Sequence, residues 1–90
     1  MMIAEQVDNM GSQILRKRVG NNIRNNRLRA NLTQDQLAYM SNISTNYLSE
    51  LERGRKSASL EVIYRISRAL GTSLCYLISI NKPKHSCDKD

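Results

Sequence analysis

Aromatic residues, proline and glycine are scarce in this chain. Among its 90 residues there is no tryptophan, no phenylalanine, one proline and four glycines, and four tyrosines are the only aromatic side chains. The apolar 40% is otherwise mainly leucine, isoleucine, valine, alanine and methionine. Small β-barrels usually pack on aromatic and β-branched runs, whereas aliphatic residues suit a helical bundle. We therefore predict one small helical domain with a modest core, which is all that a chain of this length can hold.

Cysteine and long hydrophobic runs are scarce as well. Cys75 and Cys87 are too few and too badly placed for a disulfide framework or a zinc site. The apolar residues on either side of Cys75 predict that it is a small buried hydrophobe. No run of about 18 apolar residues occurs, and Met1–Lys17 lacks the basic-then-apolar order of a signal peptide. We expect a cytosolic, reduced protein with no membrane segment, no metal and no cofactor.

No pattern of side chains indicates an enzyme. The single histidine, His85, lies in a polar stretch near the C-terminus, where an exposed side chain without a role is expected. The serine, histidine and acidic residues form no recognisable arrangement of a nucleophile and a base. We therefore assign no catalytic residue.

The net charge of +6 is unevenly distributed. The segment Arg16–Arg29 contains six basic residues and no acid, and a second basic cluster follows at Arg53, Arg55 and Lys56. A concentrated basic excess in a small domain favours a polyanionic partner, and nucleic acid more than a membrane. On charge alone, ordinary solvated helix faces explain the clusters equally well.

Helical periodicity and capping residues predict five helices. The first begins between Ser12 and Gly20 and ends at Ala30, with three apolar residues on its core face: Val19, Ile23 and Leu28. Before it, residues 1–11 are expected to form either an unstructured extension or a short helix. Residues 12–81 form the folded domain.

The second and third helices are short and joined by a tight turn. Thr33 and Gln36 form a T-x-x-Q capping box, which predicts the start of the second helix, and this helix ends near Ser41. Ser44 caps the third helix, Thr45–Arg53, and Gly54 ends it. Asparagine tolerates the left-handed backbone conformation, so two asparagines are assigned to the turns that flank the second helix: Asn31 and Asn42.

The fourth and fifth helices are also marked by their caps. Ser59 begins the fourth helix and Gly71 ends it, with an apolar face formed by Leu60, Ile63, Ile66, Ala69 and Leu70. Ser73 opens a short fifth helix. Residues 82–90 are polar and are predicted to be a disordered tail.

The third helix has an unusual polar face. Leu48 and Leu51 form its inward stripe, and the opposite side carries four polar side chains: Thr45, Asn46, Ser49 and Glu50. A helix that only faces solvent more often carries pairs of lysine and glutamate. The small polar side chains indicate a surface made for hydrogen bonding instead.

Together these segments resemble the lambda-repressor-like helix-turn-helix family, the Cro/cI or Xre type of bacterial and phage regulators. The motifs that carry the resemblance are I-R-x-x-R-L-R at Ile23–Arg29, L-T-Q-x-Q-L-A at Leu32–Ala38, I-S-x-x-Y-L-S-x-L-E-x-G at Ile43–Gly54, S-L-E-V-I at Ser59–Ile63 and A-L-G-x-S-L at Ala69–Leu74. Asn31 and Asn42 stand where the family usually has glycine, and Ala58 where it often has proline.

The resemblance implies a compact all-α bundle of five helices with the helix-turn-helix in helices 2 and 3. It also implies a cytoplasmic regulator of transcription, bacterial or phage-encoded, that binds double-stranded DNA, with a repressor favoured. The residues implied to read base edges are Thr45, Asn46, Ser49 and Glu50. Those implied to contact phosphates are Gln34, Tyr47, Arg53, Arg55, Lys56 and Arg24, with packing on the first helix an equal alternative for Tyr47. Arg27 and Glu52 correspond to a structural ion pair.

A homodimer on a palindromic operator is expected, because one recognition helix reads only a few base pairs. The fifth helix carries more apolar side chains than a small core can bury, and four residues are assigned to the dimer interface: Leu74, Tyr76, Leu77 and Ile80. A role in the core alone is the alternative for these side chains.

A second hypothesis is a protein-interaction module on the same fold, such as an antitoxin or an adaptor. Such a protein would bind its partner through one of its termini, either Met1–Lys17 or Lys82–Asp90.

Overall fold

Residues 2–78 form a bundle of five helices. The computed structural model describes the backbone of residues 2–78 and the side chains of residues 13–78. That part of the chain contains no strand, and its helices are α1 (Met2–Arg29), α2 (Gln34–Ser41), α3 (Thr45–Glu52), α4 (Leu60–Leu70) and α5 (Leu74–Leu77). The predicted all-α architecture, with the helix-turn-helix in α2 and α3, is confirmed.

The first helix is longer than predicted. It begins at Met2 and not between Ser12 and Gly20. No proline lies within it, and an interior glycine costs a helix only about 1 kcal/mol relative to alanine. Gly11 therefore does not interrupt the helical backbone, and residues 2–11 continue into the domain without a break. The predicted tail, residues 82–90, lies outside the described residues.

The predicted caps and turns around α2 to α5 are confirmed. Thr33 accepts a hydrogen bond from the backbone N–H of Gln36 (3.0 Å), and the Gln36 side chain accepts one from the backbone N–H of Thr33 (2.8 Å). Three serine hydroxyls cap the later helices: Ser44, Ser59 and Ser73. Asn31 and Asn42 both have φ 60°, in the left-handed region assigned to them. Short capped connections therefore bring α2 and α3 together.

Among the side chains of residues 13–78, the core consists of nine buried apolar residues contributed by all five helices: Val19, Ile23, Leu37, Ala38, Leu48, Leu51, Ile63, Ile66 and Leu77. Leu28 is not among them, since it is 49% exposed, and its predicted core position is wrong. The next residue on the buried side of α1 is Arg27, four positions after Ile23, as the helical repeat requires. Arg27 can be buried because polar partners surround its guanidinium.

The predicted apolar face of α4 is also wrong at one end. Leu60 is 65% exposed. At about 100° per residue, Leu60 is rotated by about 60° from Ile63, on the side away from Ile66. The buried stripe continues through Ile66 and Ser67, so it leaves Leu60 in solvent.

The short α5 buries one side chain completely. Leu77 is fully buried in the core of the monomer, so its assignment to a dimer interface is wrong. Cys75 lies two residues earlier, about 200° around the helix, and so faces away from the core. It is half-buried, so the prediction of a buried hydrophobe is wrong.

Candidate nucleic-acid interface

Helix α3 has a buried inner face and a polar outer face. Leu48, Leu51 and Glu52 are buried at the i, i+3, i+4 spacing of one helix face. Asn46 is exposed on the opposite side, and Ser49 and Glu50 are half-buried beside it. Within residues 13–78, these three side chains make no hydrogen bond. Their donors and acceptors are available to another molecule.

Thr45 lies at the start of α3, on the flank nearest α2. Its hydroxyl donates a hydrogen bond of 2.7 Å to Oδ1 of Asp35, in the first turn of α2. The first turns of the two helices are therefore linked by their side chains. Asp35 was not singled out from the sequence, because only the fold brings it to Thr45.

A buried ion pair ties α1 to the end of α3. Nε and one terminal nitrogen of Arg27 donate to the two carboxylate oxygens of Glu52, at 2.7 and 3.1 Å. The other terminal nitrogen of Arg27 donates to the carbonyl oxygen of Leu32, at 2.9 Å. The Arg27 and Glu52 side chains are 10% and 3% exposed. Such a forked arrangement satisfies both charges and fixes the angle of the guanidinium plane.

Gln34 belongs to the same network. Its amide nitrogen donates to Oε1 of Glu52, at 3.0 Å, so the first residue of α2 is joined to the last residue of α3. An amide nitrogen has two N–H donors, and the second one remains for an outside acceptor. The network therefore positions Gln34 beside the N-terminal backbone amides of α2, where an anion is stabilised.

The basic loop that follows α3 lies in solvent. Arg53, Arg55 and Lys56 are all exposed, and Gly54 between them adopts φ 75°. Tyr47 is half-buried, and its hydroxyl donates to the carbonyl oxygen of Ser57, at 3.2 Å. Tyr47 thus braces the loop, in addition to packing against the core.

Neither a metal site nor a membrane-spanning helix is present among the described residues. No group of their histidine, cysteine, aspartate and glutamate side chains could hold a metal ion. No described helix is both long and apolar enough to cross a membrane.

Comparison with known proteins identifies this arrangement. The sequence model of the helix-turn-helix family HTH_3 matches residues 23–77, which include the turn, both of its helices and the ion pair. The chain belongs to the helix-turn-helix family. It is 38% identical over 65 residues to the HTH-type transcriptional regulator y4dJ of Sinorhizobium fredii, a match that covers 72% of this chain and 84% of the relative.

Two further relatives of this helix-turn-helix protein differ in size. The immunity repressor protein of Bacillus phage phi105 is 37% identical over 60 residues, but these cover 67% of this chain and 42% of the repressor. The crystal structure of the restriction-modification controller protein C.AhdI from Aeromonas hydrophila matches with a TM-score of 0.67 at 29% identity. That match covers 69% of this chain and 94% of C.AhdI.

Two residues of the helix-turn-helix domain were missed in the sequence. A Cβ atom on Gly20 would lie 2.2 Å from the carbonyl oxygen of Leu51, so α1 and α3 meet there backbone to backbone. Glycine inside a helical pattern suggests such a close approach. Lys17 lies against Gly54, with its Cα 3.0 Å from where a Cβ of Gly54 would be. The exposed Lys17 of α1 therefore lies next to the basic loop after α3 and adds a positive charge there.

The remaining predicted residues lie further from α3. Arg24 is exposed on α1, three residues before the buried Arg27. Leu74 and Tyr76 are half-buried, and Ile80 lies outside the described residues. Ile78, directly after α5, is 37% exposed. With Leu77 in the core, Leu74, Tyr76 and Ile78 are the described apolar side chains of this segment that reach solvent.

Proposed function

We propose that this protein is a sequence-specific DNA-binding regulator of transcription whose α3 enters the major groove. The observation that carries the proposal is the outer face of α3, where Asn46, Ser49 and Glu50 have unpaired polar groups while the helix itself is fixed from behind. The family and the regulators named above support it. A protein of this kind would act in the cytoplasm of a bacterium, where the chromosome lies.

In this proposal the base contacts come from α3. Asn46 can bond bidentately to the N6 and N7 edge of adenine, and Glu50 can accept a hydrogen bond from the N4 amino group of cytosine. Ser49 can donate or accept. Glu50 also excludes sequences that offer it no donor, because an unpaired carboxylate next to phosphates is repelled.

Phosphate contacts then fix the protein on the duplex. Gln34 and the N-terminal amides of α2 would bind one phosphate, and the loop Arg53–Lys56 would bind others, with Arg24 and Lys17 as further cations. The hydroxyl of Tyr47 holds this loop by its bond to Ser57, so its effect on phosphate binding is indirect. Each neutralised phosphate steepens the salt dependence of binding by about 0.9 in log–log slope.

The test is selection of bound sequences from a random DNA pool with the purified protein. A regulator enriches a defined sequence, and Asn46→Ala should relax preference at one position of it. Ser57→Ala, at the exposed position directly after the loop, is a suitable control that should leave every preferred base unchanged. Recovery of an unenriched pool would refute sequence-specific binding.

We further propose that the protein acts as a homodimer and as a repressor. One α3 reads a few base pairs, and two half-sites about 34 Å apart would add their binding free energies. The exposed Ile78 with Tyr76 and Leu74 supports an interface beside α5. The relation to a phage immunity repressor supports repression, in which a bound dimer blocks a promoter. Such an operator would be palindromic, because the dimer axis relates its halves.

A protein-interaction module remains the second candidate. Ile14 and Leu15 are exposed large apolar residues within the segment 1–17 to which a partner was assigned. Leu15 also borders an apolar cleft of about 300 Å³ that is lined in part by Val19, Ala58 and Ile63. Titration of DNA binding against salt separates the two candidates. A steep slope with a preferred sequence supports the regulator, and weak, sequence-independent binding supports the adaptor.

A further inference from the structure

The link between Asp35 and Thr45 stands out because it lies on the surface proposed to face DNA. The Thr45 hydroxyl donates to Oδ1 of Asp35 at 2.7 Å. Asp35 is exposed and Thr45 is half-buried. A carboxylate on such a surface opposes phosphate binding, since like charges repel. Its presence there calls for a function that outweighs the repulsion.

The N-terminus of α2 is capped without Asp35. Thr33 and Gln36 already form the complete capping box. An acidic residue in a first turn stabilises the helix dipole by only about 0.3–1 kcal/mol when exposed. Glu61 has the same position in the first turn of α4, and no side-chain hydrogen bond joins it to a neighbouring helix within the described residues. The bond to Thr45 is what distinguishes Asp35.

The chemistry of this bond determines what Thr45 can offer to a base. A threonine hydroxyl has one proton and two lone pairs, whereas an ionised carboxylate can only accept. Because the proton of Thr45 is directed at Asp35, only lone pairs and the methyl group remain for the groove. An acceptor can bond the amino groups of adenine N6 or cytosine N4, but not the keto oxygens of guanine O6 or thymine O4.

We propose that Asp35 is a specificity-determining positioning residue, which fixes Thr45 as a hydrogen-bond acceptor and so selects an amino base, adenine or cytosine, at the position that Thr45 contacts. This inference rests on the proposed function. It assigns a role in sequence discrimination to a residue on α2, outside the recognition helix. Asp35 touches no base itself and acts through the orientation of the Thr45 hydroxyl.

The test compares sequences selected from a random pool by the wild type, Asp35→Ala and Thr45→Val. In Asp35→Ala the hydroxyl can rotate and donate, so the ratio of amino to keto bases at one position should fall about three- to tenfold, the range of one hydrogen bond. Thr45→Val keeps the shape but has no hydroxyl, and it should lose the preference at the same position. The double variant should behave like Thr45→Val.

Glu61→Ala is the matched control, because it also removes one exposed carboxylate from a first helical turn. It should leave all base preferences unchanged. In Asp35→Ala, the preferences at all positions other than the one that Thr45 contacts should also stay unchanged. Rescue of the preference by Asp35→Glu, which restores an acceptor, would support positioning over a structural role. Melting temperatures of all variants check that they remain folded.

The outcomes separate this inference from the function on which it rests. If the wild type enriches no sequence, the proposed function fails. If the wild type enriches a site and Asp35→Ala keeps every base preference, then only the role of Asp35 is refuted. The inference would also be refuted if the wild type preferred guanine or thymine at the position whose preference is lost in Thr45→Val, since Thr45 would then be a donor.

Discussion

The most consequential single residues lie behind the surface proposed to face DNA, in the pair Arg27 and Glu52. Both charges are buried, and each is satisfied by more than one hydrogen bond. Burying a charge is costly unless it is paired, so loss of one partner is far more harmful than loss of both. The pair therefore constrains how α1, α2 and α3 meet.

Arg27→Met should destabilise the protein by about 3–5 kcal/mol, because it leaves the Glu52 carboxylate buried without its cation. The measurement is the free energy of unfolding from urea denaturation. Arg24→Met, on an exposed position of the same helix, should change it by less than about 0.5 kcal/mol. Arg27→Met combined with Glu52→Leu should recover much of the loss, and an equally large loss in the double variant would contradict this account.

Gly20 is the second such residue. Gly20→Ala should destabilise the protein although alanine is the better helix former by about 1 kcal/mol. The added Cβ would meet the backbone carbonyl oxygens of Leu51 and Glu52, which cannot rotate away. We expect a net loss of about 1–3 kcal/mol, the usual range for an overpacked contact. Asn21→Ala, on the exposed neighbour, is the control, and a stabilised Gly20→Ala would show that α3 moves aside freely.

At the scale of the elements, the caps of α2 to α5 could be predicted, whereas the burial of several individual side chains could not. Capping depends on residues within one turn, so Thr33, Ser44, Ser59 and Ser73 were sufficient. Burial depends on which helix packs opposite, which explains the errors at Leu28, Leu60 and Leu77. The bond between Asp35 and Thr45 and the contact at Gly20 escaped prediction for the same reason, since they join residues distant in sequence. The polar face of α3 was predictable because its period is local.

The loop after α3 and the outer face of α3 should respond differently to substitution. Arg55→Ala should weaken binding to all sequences alike and lower the log–log salt slope by about 0.9, because one phosphate contact is lost. Asn46→Ala should instead change the preferred base at one position. Both effects are measured by titrating each variant with a matched and a mismatched duplex at several salt concentrations. Equal weakening of both duplexes by Asn46→Ala would remove that residue from the reading face.

At the scale of the whole molecule, the proposed dimer would determine how much DNA is read. Ile78→Asp should yield a folded monomer, because the side chain is partly exposed and a charge in an apolar interface is costly. Sedimentation or light scattering gives the mass, and binding to a full palindrome should fall far more than binding to a half-site. Leu77→Asp should unfold the protein instead, since Leu77 is fully buried. A folded Ile78→Asp dimer would locate the interface elsewhere.

The separation of the two sides of α3 also bears on how new regulators arise. Buried side chains and the hydrogen bonds of Glu52 hold α3 in position, whereas the side chains of Asn46, Ser49 and Glu50 make no hydrogen bond within residues 13–78. Drift at these three codons is therefore nearly free of a stability penalty. A library randomised at these three positions should contain many proteins with unchanged melting temperatures and different preferred DNA sequences. A duplicated gene could therefore gain a new target sequence through a few mutations.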